Sequence, residues 1–232
     1  MKDNLRITST ITKISHSLTE KGILRTLQRI HYFIDGYIFD SFHKIETASP
    51  LRWEESGLEI SKTDNASMYD SILISYLRKL FRVLRTDPGK VFVDFGCGKG
   101  RVLMIASEFG FREVRGIEFS PVSCGIARKN CLVYKAKSKT NTEFTIIESD
   151  VLDYTIRGDE DIFYLYHPFT GKILRQVLVN ISESLLAKKR KIKIIYCNPI
   201  NYKLIMEILK PVSVQYLNVG NKESCFAIFD IE

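Results

Sequence analysis

The sequence predicts an α/β fold: a seven-stranded, mostly parallel sheet with helices on both faces, plus an N-terminal helical extension. Three observations carry this. From residue 91 onward, short apolar runs alternate with stretches of helical spacing, as parallel strands joined by crossover helices require. The run Val91–Phe95 passes through Gly96, Gly98 and Gly100 into an apolar helical segment, the order of strand, turn and helix that brings backbone close to a nucleotide-like ligand. Before residue 91, apolar side chains recur at helical spacing instead.

In chain order, Ile23, Leu24, Leu27, Ile30, Ile34, Tyr37 and Ile38 share one face of a helix over 23–38. Lys21, Arg25 and Arg29 on its polar side would suit a membrane surface or a partner, but Glu20, Asp35 and Asp40 dilute that charge. Docking onto the domain's own core is therefore expected. Ile72, Leu73, Tyr76, Leu77, Leu80 and Leu84 mark a second helix near 66–85, with Asn65 or Ser67 as its N-cap and Asp87-Pro88-Gly89 as its stop. Strands are expected near 91–95, 113–118, 143–148, 161–166, 192–197, 213–218 and 224–230, and helices over Gly100–Phe109, Pro121–Lys135, Thr170–Ala187 and Tyr202–Leu209. Because the last two strands adjoin in sequence, their hairpin should insert one antiparallel strand. Residues 1–62 read as a helical extension for substrate or partner contacts, and 63–232 as the main domain.

Bulk properties narrow the class. A chain of 232 residues builds one α/β core and an extension without disulfide staples. With 45% hydrophobic and 26% charged residues, disorder is excluded as the main state. The five cysteines are scattered with no C-x-x-C pair, which argues against a disulfide framework or a metal site and for a reducing, cytoplasmic compartment. No run reaches the ~20 apolar residues of a membrane span, and the N-terminus lacks the apolar core of a signal peptide. The net charge of +7 is concentrated in two patches, Arg128, Lys129, Lys135, Lys137 and Lys139 within 128–139, and Lys188 to Lys191 with Lys193 within 188–193. Nucleic acid is one partner such patches could take, but no aromatic residues interleave them, and solvated turns are the simpler reading.

The glycine loop specifies its ligand further. A dinucleotide site needs a glycine three residues after Gly98, where this chain has Arg101. Asp94, at the end of the preceding strand, would repel a pyrophosphate and attract a cation. S-adenosylmethionine carries both an ammonium and a sulfonium, so the loop, Asp94 with Gly96, Cys97, Gly98 and Gly100, is read as its cradle. Glu118 with Phe119 closes the next strand and can accept from both ribose hydroxyls. After the strand ending at Glu148, Asp150 can accept from an adenine amine and the Val151 N–H can donate to a ring nitrogen, with Asp153 as a competitor. Tyr166-His167-Pro168-Phe169 follows the fourth strand. Pro168 restricts the preceding backbone to extended conformations, which would hold His167 at the mouth of the cleft as the catalytic residue, to take a proton from a hydroxyl or to orient an amine, with Tyr166 and Pro168 on the substrate side and Phe169 over the substrate or the adenine.

Val91–Arg101, Glu118, Asp150 and the Tyr166–Phe169 strand end together resemble the class I S-adenosylmethionine-dependent methyltransferases, a Rossmann-like fold. More narrowly, Phe92 to Arg101, Gly116-Ile117-Glu118-Phe119-Ser120 and Ile195-Tyr196-Cys197-Asn198-Pro199 resemble a bacterial group distantly related to the DOT1-type lysine methyltransferases. The resemblance covers about residues 62–230. It implies that Asp94, Gly96, Gly98 and Gly100 hold the methionine part, Glu118 the ribose and Asp150 the adenine, with Asn198 on the acceptor side and S-adenosylhomocysteine as product. Relatives place Asn before the Pro-Phe pair where this chain has His167, so the amine-orienting role of that Asn does not carry over. Thr63–Tyr69 matches only loosely a Tyr-x-Pro-Thr-like segment, which makes Ser67 and Tyr69 weak contacts. The expected function is methyl transfer to an O or N acceptor of a small molecule, glycan or protein side chain. The alternatives are a nucleic-acid methyltransferase using the two basic patches, or a non-catalytic S-adenosylmethionine-binding module.

Overall fold

A computed structural model of the chain describes residues 23–49, 72–85, 87–166, 171–219 and 225–232. Its strands are β1 (Val91–Phe95), β2 (Glu113–Glu118), β3 (Glu143–Glu148), β4 (Ile162–Tyr166), β5 (Ile192–Cys197), β6 (Ser213–Asn218) and β7 (Cys225–Ile231). They form one sheet in the order β3-β2-β1-β4-β5-β7-β6. Strands β1 to β5 pair in parallel, and β7 runs antiparallel between β5 and β6. The expected hairpin insertion is present. Since the chain builds from β1 outward to β3 and then returns to β4 on the other side of β1, a switch point lies between β1 and β4 at their carboxyl ends.

The helices are α1 (Ile23–His43), α2 (Ile74–Leu84), α3 (Arg101–Ala106, continued by a 3-10 turn Ser107–Phe109), α4 (Pro121–Ser138), α5 (Gly171–Ala187) and α6 (Tyr202–Leu209). Alternation along each strand sends side chains to two cores. Phe92, Tyr164 and Ile195 pack with Phe39 of α1, Leu77, Leu80 and Phe81 of α2, Leu103 of α3 and Tyr134 of α4. Val91, Val93, Phe163 and Ile194 pack with Leu174, Val177 and Ile181 of α5 and Ile205 of α6. Each fully buried side chain of this size contributes roughly 2 kcal/mol. The inner strands β1 and β2 are buried throughout, while the edge strands β3 and β6 are partly exposed, as a sheet covered on both faces requires.

The start of α2 differs from expectation. Leu73 is extended (φ −60°, ψ 134°) and is the N-cap, with no capping side chain of its own, so neither Asn65 nor Ser67 caps this helix. A carboxylate from another helix does the work: Asp35 Oδ2 of α1 accepts from the Ile74 N–H at 2.9 Å, placing negative charge at the positive end of the helix dipole. The helix also stops earlier, at Arg85 in the left-handed conformation, before Asp87-Pro88-Gly89. Helix α1 extends to His43 and docks on the domain's own core through Gly36, Phe39 and Asp40. The face expected to dock is not the one that does: Ile34, Tyr37 and Ile38 of that face stay exposed, together with Phe42. No helix of the described residues is long and apolar enough to cross a membrane.

Candidate functional site

The loop after β1 turns through left-handed backbone at Gly96 (φ 81°), Gly98 (φ 51°) and Gly100 (φ 85°), a region that side chains with a Cβ rarely occupy. It lies directly on β2. The N–H groups of Gly96 and Cys97 both donate to the Ile117 carbonyl, at 2.8 and 3.1 Å, and a Cβ on Gly116 would stand 2.4 Å from Cys97 Sγ. Burial, aided by Asp94 and Glu118, pushes the Cys97 thiol well up. Its side chain is buried in the packing between the loop and β2.

Glu118 ties this loop to the next one. Its Oε2 accepts from the Gly98 N–H and its Oε1 from the Ser120 N–H, both at 2.9 Å. Ser120 in turn caps α4 by accepting from the Ser123 N–H. Burial pushes the Glu118 carboxyl up, and the amides of Ser120, Gly98 and Phe119 only partly oppose this. Asp94 is 3% exposed, and its carboxylate has no hydrogen-bond or ion partner among the described residues. Burial first, and the Glu118 charge second, push its carboxyl well above the ordinary carboxylate range. Two buried acids with no cation between them are costly, because desolvation of each ion is several kcal/mol. A ligand that brings positive charge fits this site; a phosphate does not.

The remaining predicted residues fall along the same edge, at the carboxyl ends of neighbouring strands. Asp150 follows β3 and is exposed. Its Oδ1 accepts from the Leu152 N–H at 2.9 Å, an Asx turn that fixes the carboxylate and leaves Oδ2 available. Val151 is half-buried beside it, and Asp153, the competitor, is exposed. Phe119 is half-buried between Glu118 and the cap of α4. Tyr166 ends β4 and Asn198 follows β5 in left-handed backbone (φ 52°), its N–H donating to the Cys225 carbonyl at 2.9 Å. His167, Pro168, Phe169, Ser67 and Tyr69 lie outside the described residues. A cavity of about 380 Å³ opens at the opposite edge of the sheet. There Lys90 pairs with Asp161, Lys193 with Asp230 and Lys191 with Glu232, so three of its four lining acids already have a cation.

Sequence reasoning did not assign Lys99, Arg101, Asn130 or the segment 44–49. Lys99, inside the glycine loop, is 1% exposed, and its ammonium donates to Glu46 Oε1 at 2.8 Å and the Ser49 carbonyl at 3.0 Å. Arg101 donates through Nε to Thr47 Oγ1 at 2.8 Å and through Nη1 to the Ile72 carbonyl at 3.3 Å. Asn130 of α4 accepts from the Glu46 N–H and donates to the carbonyls of Glu46 and Lys99. The one signal in the sequence was Arg101 itself, a bulky cation where a dinucleotide loop has glycine; its partners are far away in the chain.

Strand order, the antiparallel β7 and the glycine loop after β1 define the fold of the class I methyltransferases. The profile of the family described as "Histone methylation protein DOT1" matches residues 54–149, a stretch that contains Asp94, the loop and Glu118. A ribosomal protein L11 methyltransferase of Carboxydothermus hydrogenoformans is 32% identical over 66 residues, 28% of this chain and 20% of the relative, so the chain spans about a fifth of that relative's length. Among solved structures, the Pyrococcus abyssi tRNA (uracil-54, C5)-methyltransferase in complex with S-adenosyl-L-homocysteine aligns with TM-score 0.51 at 14% identity over 71% of this chain and 40% of its own. The precorrin-6y C5,15-methyltransferase of Geobacter metallireducens aligns with TM-score 0.50 at 19% identity over 76% of this chain and 96% of its own.

Proposed function

We propose that this protein is an S-adenosylmethionine-dependent methyltransferase that modifies an O or N acceptor of a small molecule, glycan or protein side chain. The observation that carries the reading is the buried, cation-free pair Asp94 and Glu118 at a glycine loop of left-handed backbone. In this reading Asp94, Gly96, Gly98 and Gly100 hold the methionine part, with Cys97 contributing backbone only. Glu118 and Phe119 hold the ribose, and Asp150 and Val151 the adenine. When bound, S-adenosylmethionine supplies a methyl group activated by its sulfonium. The chain's own contribution is to orient donor and acceptor in a cleft poor in water and to take one proton from the acceptor, the role assigned to His167. Tyr166, Asn198, Pro168 and Phe169 flank the acceptor.

Titration calorimetry with S-adenosylhomocysteine tests the binding half, and mass-spectrometric detection of a methylated product tests the transfer half. His167→Ala should leave cofactor affinity within about threefold while lowering turnover by about 100-fold or more; equal turnover would remove His167 from the mechanism. Binding without any product across acceptor classes would favour the non-catalytic module. The nucleic-acid alternative has lost much of one patch. Arg190 is spent on the carbonyls of Glu160, Ser184, Lys188 and Arg157, while Lys191 and Lys193 are paired with acids. Steeply salt-dependent RNA binding would restore that reading.

A further inference from the structure

The glycine loop is fastened from outside by residues that precede it by fifty positions. Segment 44–49 crosses the loop as a strap. Thr47 is its centre: its Oγ1 donates to Asp40 Oδ1 at 2.7 Å and accepts from Arg101 Nε at 2.8 Å. Asp40 Oδ2 also accepts from the N–H groups of Thr47 and Ala48, both at 2.6 Å, so α1 fixes the middle of the strap. On either side of that middle, Lys99 reaches Glu46 and Ser49, and Asn130 grips both backbone groups of Glu46 together with the Lys99 carbonyl. The fit is close, since a Cβ on Gly36 of α1 would stand 2.7 Å from Arg101 Nη2.

Resting on the proposed cofactor reading, we infer that this strap is a positioning element of the cofactor site: Thr47, through Arg101, and Glu46, through Lys99, hold the glycine loop in its ligand-binding form. The cations of the loop thus point away from the ligand and into the N-terminal region. Two side chains that alternate with the loop glycines cannot be docked on the strap unless the backbone between them adopts the observed turn. A strap that favours the binding-competent loop must, by reciprocity, be held more firmly when ligand is bound. Residues that touch no ligand then set its affinity.

The test uses the full chain and S-adenosylhomocysteine as probe. Thr47→Val keeps the shape of the side chain and removes the hydroxyl hydrogen bonds to Asp40 and Arg101; it should weaken binding by about fivefold or more, with Thr47→Ser restoring affinity to within about twofold of wild type. Lys99→Met is a second variant, expected to weaken binding in the same direction, and each variant's melting curve confirms that it is folded. In hydrogen exchange, saturating S-adenosylhomocysteine should slow the Thr47 and Ala48 amides of the wild type. Wild-type affinity in Thr47→Val and Lys99→Met, or a Thr47→Ser variant no better than Thr47→Val, overturns the strap inference while leaving the cofactor reading intact. Failure of the wild type to bind the probe overturns the cofactor reading itself.

Discussion

Strand β2 carries acids at both ends, and the protein treats them oppositely. At its start, Glu113 grips Arg115 through both carboxylate oxygens at 2.7 Å, and Arg115 also reaches Asp159 and Glu160 at 2.8 to 3.0 Å. Hydrogen bonds from Arg115, foremost, and from Arg112 hold the Asp159 carboxyl well below its usual range. Burial alone would push Glu113 up, but the hydrogen bonds from Arg115 and Thr145 and the Arg115 charge bring it below its ordinary value. At the other end of the strand, Glu118 and neighbouring Asp94 are buried with no cation beside them among the described residues, and both carboxyls are pushed up. The acids at the start of β2 share a cation that the fold itself supplies. The pair at the loop has none among the described residues, which is the feature the proposed cofactor reading rests on.

The largest effect that would break this comparison is at the paired end. Arg115→Leu strands Glu113 and the fully buried Glu160, and should cost about 3 to 5 kcal/mol in a denaturant titration, with the affinity of the folded protein for S-adenosylhomocysteine unchanged. A loss under about 1 kcal/mol would place this cluster among ordinary solvated pairs. Asp94→Asn should do the reverse. Cofactor affinity should fall about 100-fold, near 2.7 kcal/mol, while the melting temperature of the ligand-free protein stays level or rises because a buried charge is gone. A destabilisation comparable to that of Arg115→Leu would show Asp94 to be structural.

Acidity separates the two ends by sign. Asp94 and Glu118 have folded-state values above their ordinary 3.8 and 4.5, so their contribution is present below those values and is lost as pH rises through the raised ones. Asp159 and Glu113 lie below their ordinary values; their contribution is present above them and is lost as pH falls through the lowered ones. Thermal melting of ligand-free protein should therefore show wild type losing ground to Asp94→Asn as pH rises above the ordinary carboxylate range. Arg115→Leu should instead lose its disadvantage only in strong acid. The smallest effect sharpens what a paired acid means: Lys191→Ala, at an exposed pair with Glu232, should change stability by less than about 1 kcal/mol.

Much of the fold was legible because its signals are local. Val91–Phe95 with its three glycines, the apolar runs ending at Glu118 and Glu148, and the closing hairpin each announce themselves within a few residues. Asp94 and Glu118 were legible for the same reason, as acids at strand ends. The cap of α2 was not, because Asp35 reaches Ile74 from another helix. Nor were the roles of Lys99 and Arg101, whose partners Glu46, Thr47 and Ile72 meet them only across the folded surface. The partners within 188–193 were not legible either: a run of like charge in the chain says nothing of Glu232 and Asp230, which Lys191 and Lys193 meet, or of the carbonyls that Arg190 reaches.

By itself, then, the sequence determined the class of sheet, the glycine turn and the strand-end acids, since these follow from periodicity, positive-φ backbone and residue type at fixed local spacing. Only the tertiary structure decided which acids keep a cation and which do not. Whether a carboxylate is paired depends on what lies within hydrogen-bond reach after folding and on how much water is left beside it, and neither distance along the chain nor residue type specifies that. Arg115 is buried against three acids, while Lys99 and Arg101, closer in sequence to Asp94, turn away from it to the strap.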